Sequence, residues 1–452
     1  MSMHNNIRMR LKVQPLRLKG ALELWATEET PLAKYAWVGG PPKPRDVLRS
    51  KEIPPRDVSL QALEREGVVE VLMPIAVRSP EDVDRVPKDA DLIVIGDAED
   101  WFADDAILNK IASLGKPILA EWDNWGYSIH GRISKFRLKK YTGVKRYFTM
   151  GAEELMSILN AAAAAKFIRQ MRVLYMGRMP SHSVALGDMI SFEYLNKRFG
   201  MDFVQLSFAD YLKAVDSVSD EEVSNIVENW KKRFLPMDGR EEKLTFYAKI
   251  YKALKNMMEQ YGANAIAIDC AALPDEEYVP CLAYSLLIDE GIPCACEADL
   301  PALFIMAALM AMGASAMIGN LNENVTHADI EQNIVVLNHD VMPPSFACRG
   351  CIVALRDFHA TGKGVTPYAK LREETVTLAG MHWDMDKIWA TVGKVKWTED
   401  TTHCRISVGI EVRDAKTVSK EAFSHHAVMA YGDYTGALKK LAELLDLEIT
   451  LL

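Results

Sequence analysis

CACEADLPALFIMAALMAMGASAMIGNLNENV, Cys294–Val325, carries no charged residue between Asp299 and Glu323. Such a run is either a membrane span or a helix buried inside a globular domain, and its flanks decide between the two. A spanning helix has Lys or Arg close to one of its ends. Here Lys and Arg are missing from the whole stretch Asn256–Cys348, which holds 13 acidic residues. The run is also rich in alanine, with Gly313 and Ser315 inside it, and small residues let a helix pack closely on a sheet or another helix. It therefore reads as a buried helix over Pro301–Met312, with Pro301 in the first turn, where a missing N–H costs nothing. No membrane partner is expected.

The same acidic block accounts for the net charge of −9, since basic residues slightly outnumber acidic ones elsewhere. It would repel phosphates, and no basic stripe with interleaved aromatics is visible, so nucleic acid is not an expected partner. With 49% apolar and 25% charged residues over 452 positions, the chain is an ordinary globular one. Its mildly basic N-terminus lacks the apolar core and cleavage site of a secretory signal. Seven cysteines at long spacings do not resemble a disulfide framework and fit a reducing compartment, so the expected location is cytoplasmic.

Working outward from Cys294, four regions emerge. Residues 1–66 show no clean period and several Pro breaks (GGPPKPRD, EIPPRD), as in an extension that wraps over other structure or a partner subunit. In 67–170, the strand-like pieces VVEVLMPIAV, DLIVIGD and KPILAEWDNWGY alternate with helical ones, the rhythm of a parallel sheet. In 171–325, a strand over Val173–Met176 runs into a glycine turn and places Arg178, Ser181 and His182 on a βα loop, where such folds bind ligands. A second strand, NAIAIDC, ends at Asp269. Residues 326–452 are short β-rich segments, closed by the helix DYTGALKKLAELLDL and the strand EITLL. The expected fold is α/β, with two Rossmann-like parallel-sheet domains and a C-terminal antiparallel, barrel-like domain.

Glu297 ends a strand and starts a helix, where a carboxylate faces a cleft in α/β domains. Asp299, two residues on, reads as the cap of that helix. Of the histidines in the last third, five are weighed as ligands: His327, His339, His359, His425 and His426. Adjacent histidines on a strand point to opposite faces, so only one of the His425–His426 pair looks into a given site. Carboxylate with imidazole suits Mn, Fe or Zn better than Ca. Cys294, Cys296, Cys348 and Cys351 offer a rival four-sulfur zinc site, although C-x-C spacing is unusual for one ion and buried thiols are the simpler reading. Trp122, Trp125 and Tyr127 can stack on a sugar face or pack in a core.

The motif ACEADLPALFIMAALMAMGASAMIGN resembles the L-fucose isomerase and L-arabinose isomerase superfamily. RVLYMGRMPSHSVALGD, GANAIAIDC and SHHAVMAYGDYTGALKKLAELLDLEITLL follow the family's order of elements, so the likeness covers residue 171 to the end. It implies a metal-dependent aldose–ketose isomerase that moves a proton through an ene-diolate, with manganese the favoured ion and iron or zinc alternatives. Glu297 falls on the metal-binding, proton-transferring glutamate, His426 on the metal-binding histidine, and His339 on a further one. The family's second carboxylate falls at Asn320, which can ligate a metal through its oxygen but cannot accept a proton, so Glu323 or Asp299 would supply the second acid. Arg178, His182 and Asp269 are the expected substrate-binding residues, and the partner is a small sugar or sugar derivative. The resemblance also implies a homo-oligomer, a trimer or hexamer. The Asn320 departure leaves open an epimerase or lyase acting on a sugar or sugar acid, or a sugar-binding regulator without catalysis.

Overall fold

The stretch LKVQPLRL changes apolar phase at Pro15, which hides a strand from any period-two reading. In the computed structural model these residues form β1, Leu11–Leu18, hydrogen-bonded on both sides within a parallel sheet. The structure describes residues 9–19, 60–96, 99–120, 135–138, 141, 145–147, 152–181, 190–235, 243–402 and 404–452. Of these, 9–166 form one compact unit and 167–452 another.

In the first unit β1 pairs with β2 (Val69–Val71), β3 (Ile75–Val77) and β4 (Leu92–Ile95), and the sheet continues through β5 (Ile118–Ala120) to β6 (Arg146–Tyr147). Residues 11–18 are thus sheet, where the sequence suggested only a wrapping extension. The strand reads poorly because both faces are buried and one buried side chain is charged: Arg17 Nη1 donates to Glu99 Oε1 at 2.9 Å. A buried guanidinium needs such a partner.

The second unit begins with β7 (Arg172–Met176), β8 (Asp202–Leu206), β9 (Phe234–Leu235), β10 (Ala265–Ile268) and β11 (Cys294–Ala295). Four of these make a parallel sheet in the order β11-β10-β7-β8, while β9 pairs with a later strand. Helix α1, Cys281–Asp289, follows β10, and α2, Leu300–Ala311, follows β11. All 12 residues of α2 are buried. No helix among the described residues is long and apolar enough to cross a membrane.

The strands after α2 are β12 (Ala316–Leu321), β13 (Ile334–His339), β14 (Val353–Arg356), β15 (Thr366–Tyr368), β16 (Thr375–Met381), β17 (Lys387–Asp400), β18 (Ile406–Val412), β19 (His426–Tyr431) and β20 (Glu448–Leu451). Six of them close an antiparallel barrel in the order β16-β19-β12-β13-β18-β17, with β17 returning to β16 and β20 added along β17. The barrel begins at Ala316, earlier than the change of texture near Val325 suggested. Close packing around β12 explains Gly319: a Cβ there would lie 2.7 Å from Leu337 Cγ and 2.9 Å from the Asn338 carbonyl oxygen. Helix α2 packs on β12, β16 and β19, so one apolar helix joins the parallel sheet to the barrel.

Candidate functional site

The carboxyl ends of β7, β10 and β11 run together, as expected where a parallel sheet binds ligands. Gly177 adopts φ 141° after β7, and a Cβ at that position would lie 2.6 Å from Asp269 Cβ, so only glycine lets the two loops approach. After β11 the chain turns sharply. Glu297 (φ 55°) and Ala298 (φ 48°) both sit in the left-handed region, at a cost of about 1–3 kcal/mol each. The turn is held by its surroundings: Ser181 Oγ donates to Ala298 O at 3.2 Å and the Asp299 amide to Cys296 O at 3.1 Å. This conformation carries the Glu297 side chain into a cavity of about 490 Å³.

Asp299 has two tasks. Its Oδ1 accepts the Ala302 amide at 2.8 Å and caps α2, while Oδ2 lies 2.8 Å from Nδ1 of the buried His426. A proton on Nδ1 is thereby fixed, and the lone pair of Nε2 is left on the other side of the ring. That nitrogen is buried without a hydrogen-bond partner, 3.9 Å from Glu297 Oε2. A carboxylate holding one nitrogen while the other faces a second carboxylate is the arrangement that orients a metal-binding histidine. His425 Nε2 lies 3.2 Å from the same Glu297 oxygen, and the donor atoms of Glu297, His425 and His426 fall within 4.8 Å of one another. The residues present therefore fit a divalent ion. The hydrogen bond and charge of Glu297 outweigh burial and hold the His425 pKa above its ordinary value.

His339 stacks on His426 with ring centroids 5.4 Å apart. Its Nδ1 accepts the Asp340 amide at 2.8 Å, so the neutral ring carries its proton on Nε2. Burial first, and then the neighbouring His426, lower its pKa to about 4, which keeps it neutral. Asn320 lies across from His426 on the β12–β19 ladder, and its amide nitrogen donates to Glu323 Oε2 at 2.7 Å.

Glu297, Asn320, Glu323 and His339 all line the cavity, and His426 lies buried behind its wall. Arg178 is exposed and does not line the cavity; its carbonyl accepts from Tyr175 Oη at 2.5 Å. Asp269 is fully buried beneath Gly177 rather than in the cavity wall, which its neighbour Cys270 lines instead. His182, Trp122, Trp125 and Tyr127 lie outside the described residues. The four cysteines do not assemble: Cys348 and Cys351 form a disulfide across a tight turn, with Cα atoms 5.2 Å apart, while Cys294 and Cys296 are buried thiols. Sequence reasoning kept only one histidine of the adjacent pair. Because β19 starts at His426, strand alternation does not apply to His425, and both rings reach Glu297. Asp340 and Cys404 were not singled out, and His359 was weighed without them; the three gather on the barrel side of the cavity with no local signature.

Asp299→Asn keeps a capping oxygen but replaces the charged partner of His426. It is expected to leave stability within about 1 kcal/mol of wild type and to weaken metal binding by about 10–100-fold. Asp299→Ala removes cap and partner together, and a loss of about 2–4 kcal/mol is expected in urea titrations. Equal metal affinity for wild type and Asp299→Asn would show that Asp299 is a cap and nothing more.

Residues 173–315 match the family model of the L-arabinose isomerase central domain. No curated protein matches the chain. The match covers β7 through α2, with Glu297 and Asp299 inside it, and supports a sugar isomerase family.

Proposed function

We propose that the cavity is the active site of a metal-dependent sugar isomerase, moving a proton between C2 and C1 of an aldose–ketose pair through an ene-diolate. The observation that carries this reading is the buried Nε2 of His426, without a hydrogen bond, its ring fixed by Asp299 and facing Glu297, which lies inside the matched region. Glu297, His425 and His426 would hold the ion, with the side-chain oxygen of Asn320 nearby; manganese is the favoured ion, with iron or zinc as alternatives. When bound, a divalent ion polarises the substrate oxygens and stabilises the charge of the ene-diolate.

The protein's own groups do the rest. Glu297, held at a strained turn, takes the proton from one carbon and returns it to the next. His339, neutral and carrying its proton on Nε2, donates a hydrogen bond to an oxygen that gains negative charge. Glu323, tied to Asn320, is the nearest candidate for the second acid, which Asn320 itself cannot be. The departure at Asn320 favours one alternative, an epimerase or lyase using the same proton abstraction on a sugar or sugar acid. Incubation of the manganese-loaded protein with candidate sugars in deuterium oxide tests both: isomerisation exchanges and transposes the carbonyl, whereas epimerisation or elimination leaves a different product. No deuterium in any sugar carbon would remove every catalytic reading and leave a sugar-binding regulator. The proposal extends to a homo-oligomer, trimer or hexamer, which light scattering would read directly.

Metal binding should depend on pH in a definite direction. With its pKa raised, His425 stays protonated to a higher pH than an ordinary histidine, and Nε2 must lose that proton before it can ligate. Affinity for manganese is expected to fall as pH drops through the raised value, about tenfold per unit once the imidazolium dominates. His425→Gln should flatten the profile in a metal titration. An unchanged slope in that variant would take His425 out of the ligand set.

A further inference from the structure

A second group of donors meets the same cavity from the barrel side. Asp340 follows β13 and Cys404 precedes β18; the pairing of His339 with Ile406 in that ladder brings the two ends together. His359, held at φ 48° between β14 and β15, reaches across. Its Nε2 lies 2.9 Å from Asp340 Oδ2 and 3.6 Å from Cys404 Sγ, and one donor atom from each residue lies within 4.8 Å of the others. Asp340 and Cys404 are buried, and His359 and Cys404 line the cavity.

The carboxylate is positioned by groups other than His359. The Arg405 amide donates to Asp340 Oδ1 at 2.8 Å, and Thr366 Oγ1 donates to the Asp340 carbonyl, leaving Oδ2 turned to the imidazole. Asn320 Nδ2 lies 3.8 Å from Cys404 Sγ, a second contact at the sulfur. Burial pushes the Cys404 thiol up, and the charges that add to it are Asp340, Glu323 and Glu297, all acidic. At His359 burial opposes the charged form, yet the hydrogen bond and charge of Asp340 raise the pKa overall. A dication would take the place of the His359 proton beside Asp340 and balance one carboxylate and one thiolate.

We propose that Asp340, His359 and Cys404 form a second metal site, distinct from the Glu297 centre, for a thiophilic divalent ion of the zinc class whose open coordination position faces the cavity. Three protein ligands with one open position are the pattern of a reactive rather than a structural zinc site, and a thiolate discriminates against manganese. Binding releases the Cys404 proton, and the Nε2 proton of His359 where that ring is protonated, to solvent and changes no oxidation state. The open position would take water or a hydroxyl of a polyhydroxylated ligand. This site does not depend on the isomerase reading.

Cobalt(II) is the probe, because only a thiolate ligand gives an intense near-ultraviolet charge-transfer band. The full-length protein titrated with cobalt(II) is expected to show that band and to bind one more equivalent than Cys404→Ser, in which the band is absent. His359→Ala should lower the cobalt affinity of this site by about 10-fold or more. Glu297→Gln should keep the band while losing metal elsewhere, so failure of one site is distinguishable from failure of the other. Absence of the band in the wild type, or its persistence in Cys404→Ser, would overturn the proposal; the wild-type result does not depend on how any variant folds.

Discussion

Glu297→Gln is expected to abolish solvent deuterium incorporation into the substrate, lowering the exchange rate by about 100- to 10,000-fold. Glutamine preserves the size of the side chain and still offers an oxygen, but it can neither take a proton from carbon nor deliver one. Packing should survive, because the left-handed turn is secured by contacts of its neighbours Ser181 and Asp299. The same substitution removes the partner of His425, whose pKa is then expected to fall toward its ordinary value. Both readouts, exchange by nuclear magnetic resonance and the titration of the His425 ring, come from one sample. A variant that exchanges deuterium at the wild-type rate would assign the proton to another group, with Glu323 the first to examine.

Phe304→Ala should cost about 3–5 kcal/mol, a large share of the roughly 5–15 kcal/mol that holds a typical domain together. Phe304 lies in the middle of α2, fully buried, with its ring 5.0 Å from that of Phe199. No neighbouring solvent-exposed side chain of α2 can relax into the space, because every residue of the helix is buried. Met310→Leu, a volume-conserving change in the same helix, should stay below about 1.5 kcal/mol. Urea titrations of the two variants separate cavity formation from a general sensitivity of the helix. Losses of equal size would mean that α2 is less closely packed than its burial indicates.

Much of this architecture was legible because the information was local. The uncharged run after Asp299 with acidic flanks specified a buried helix, and the structure places that helix at Leu300–Ala311. Glu297 was found at the junction of a short strand and that helix, and Asp299 does cap it, although its second bond to His426 joins residues 127 positions apart and left no trace in the sequence. What stayed hidden depends on long-range register. Strand β1 carries a phase change at Pro15 and a charge satisfied only by Glu99, so neither alternation nor hydropathy marks it. Asp340, His359 and Cys404 come together through the β13–β18 ladder and the loop after β14, which no spacing rule predicts. Arg178 and Asp269 sit on the loops after β7 and β10, as expected, but neither lines the cavity: Arg178 is exposed and Asp269 is buried beneath Gly177.

The most direct test of the metal-dependent reading is elemental analysis of the purified protein after incubation with manganese, beside Glu297→Gln and His426→Ala. Stoichiometric metal is expected in the wild type, with the loss of one equivalent in each of the two variants and its retention in Cys404→Ser. Wild-type protein that takes up no metal, or variants that keep the full complement, would contradict an ion held by Glu297 and His426, and the isomerase proposal would fall with it.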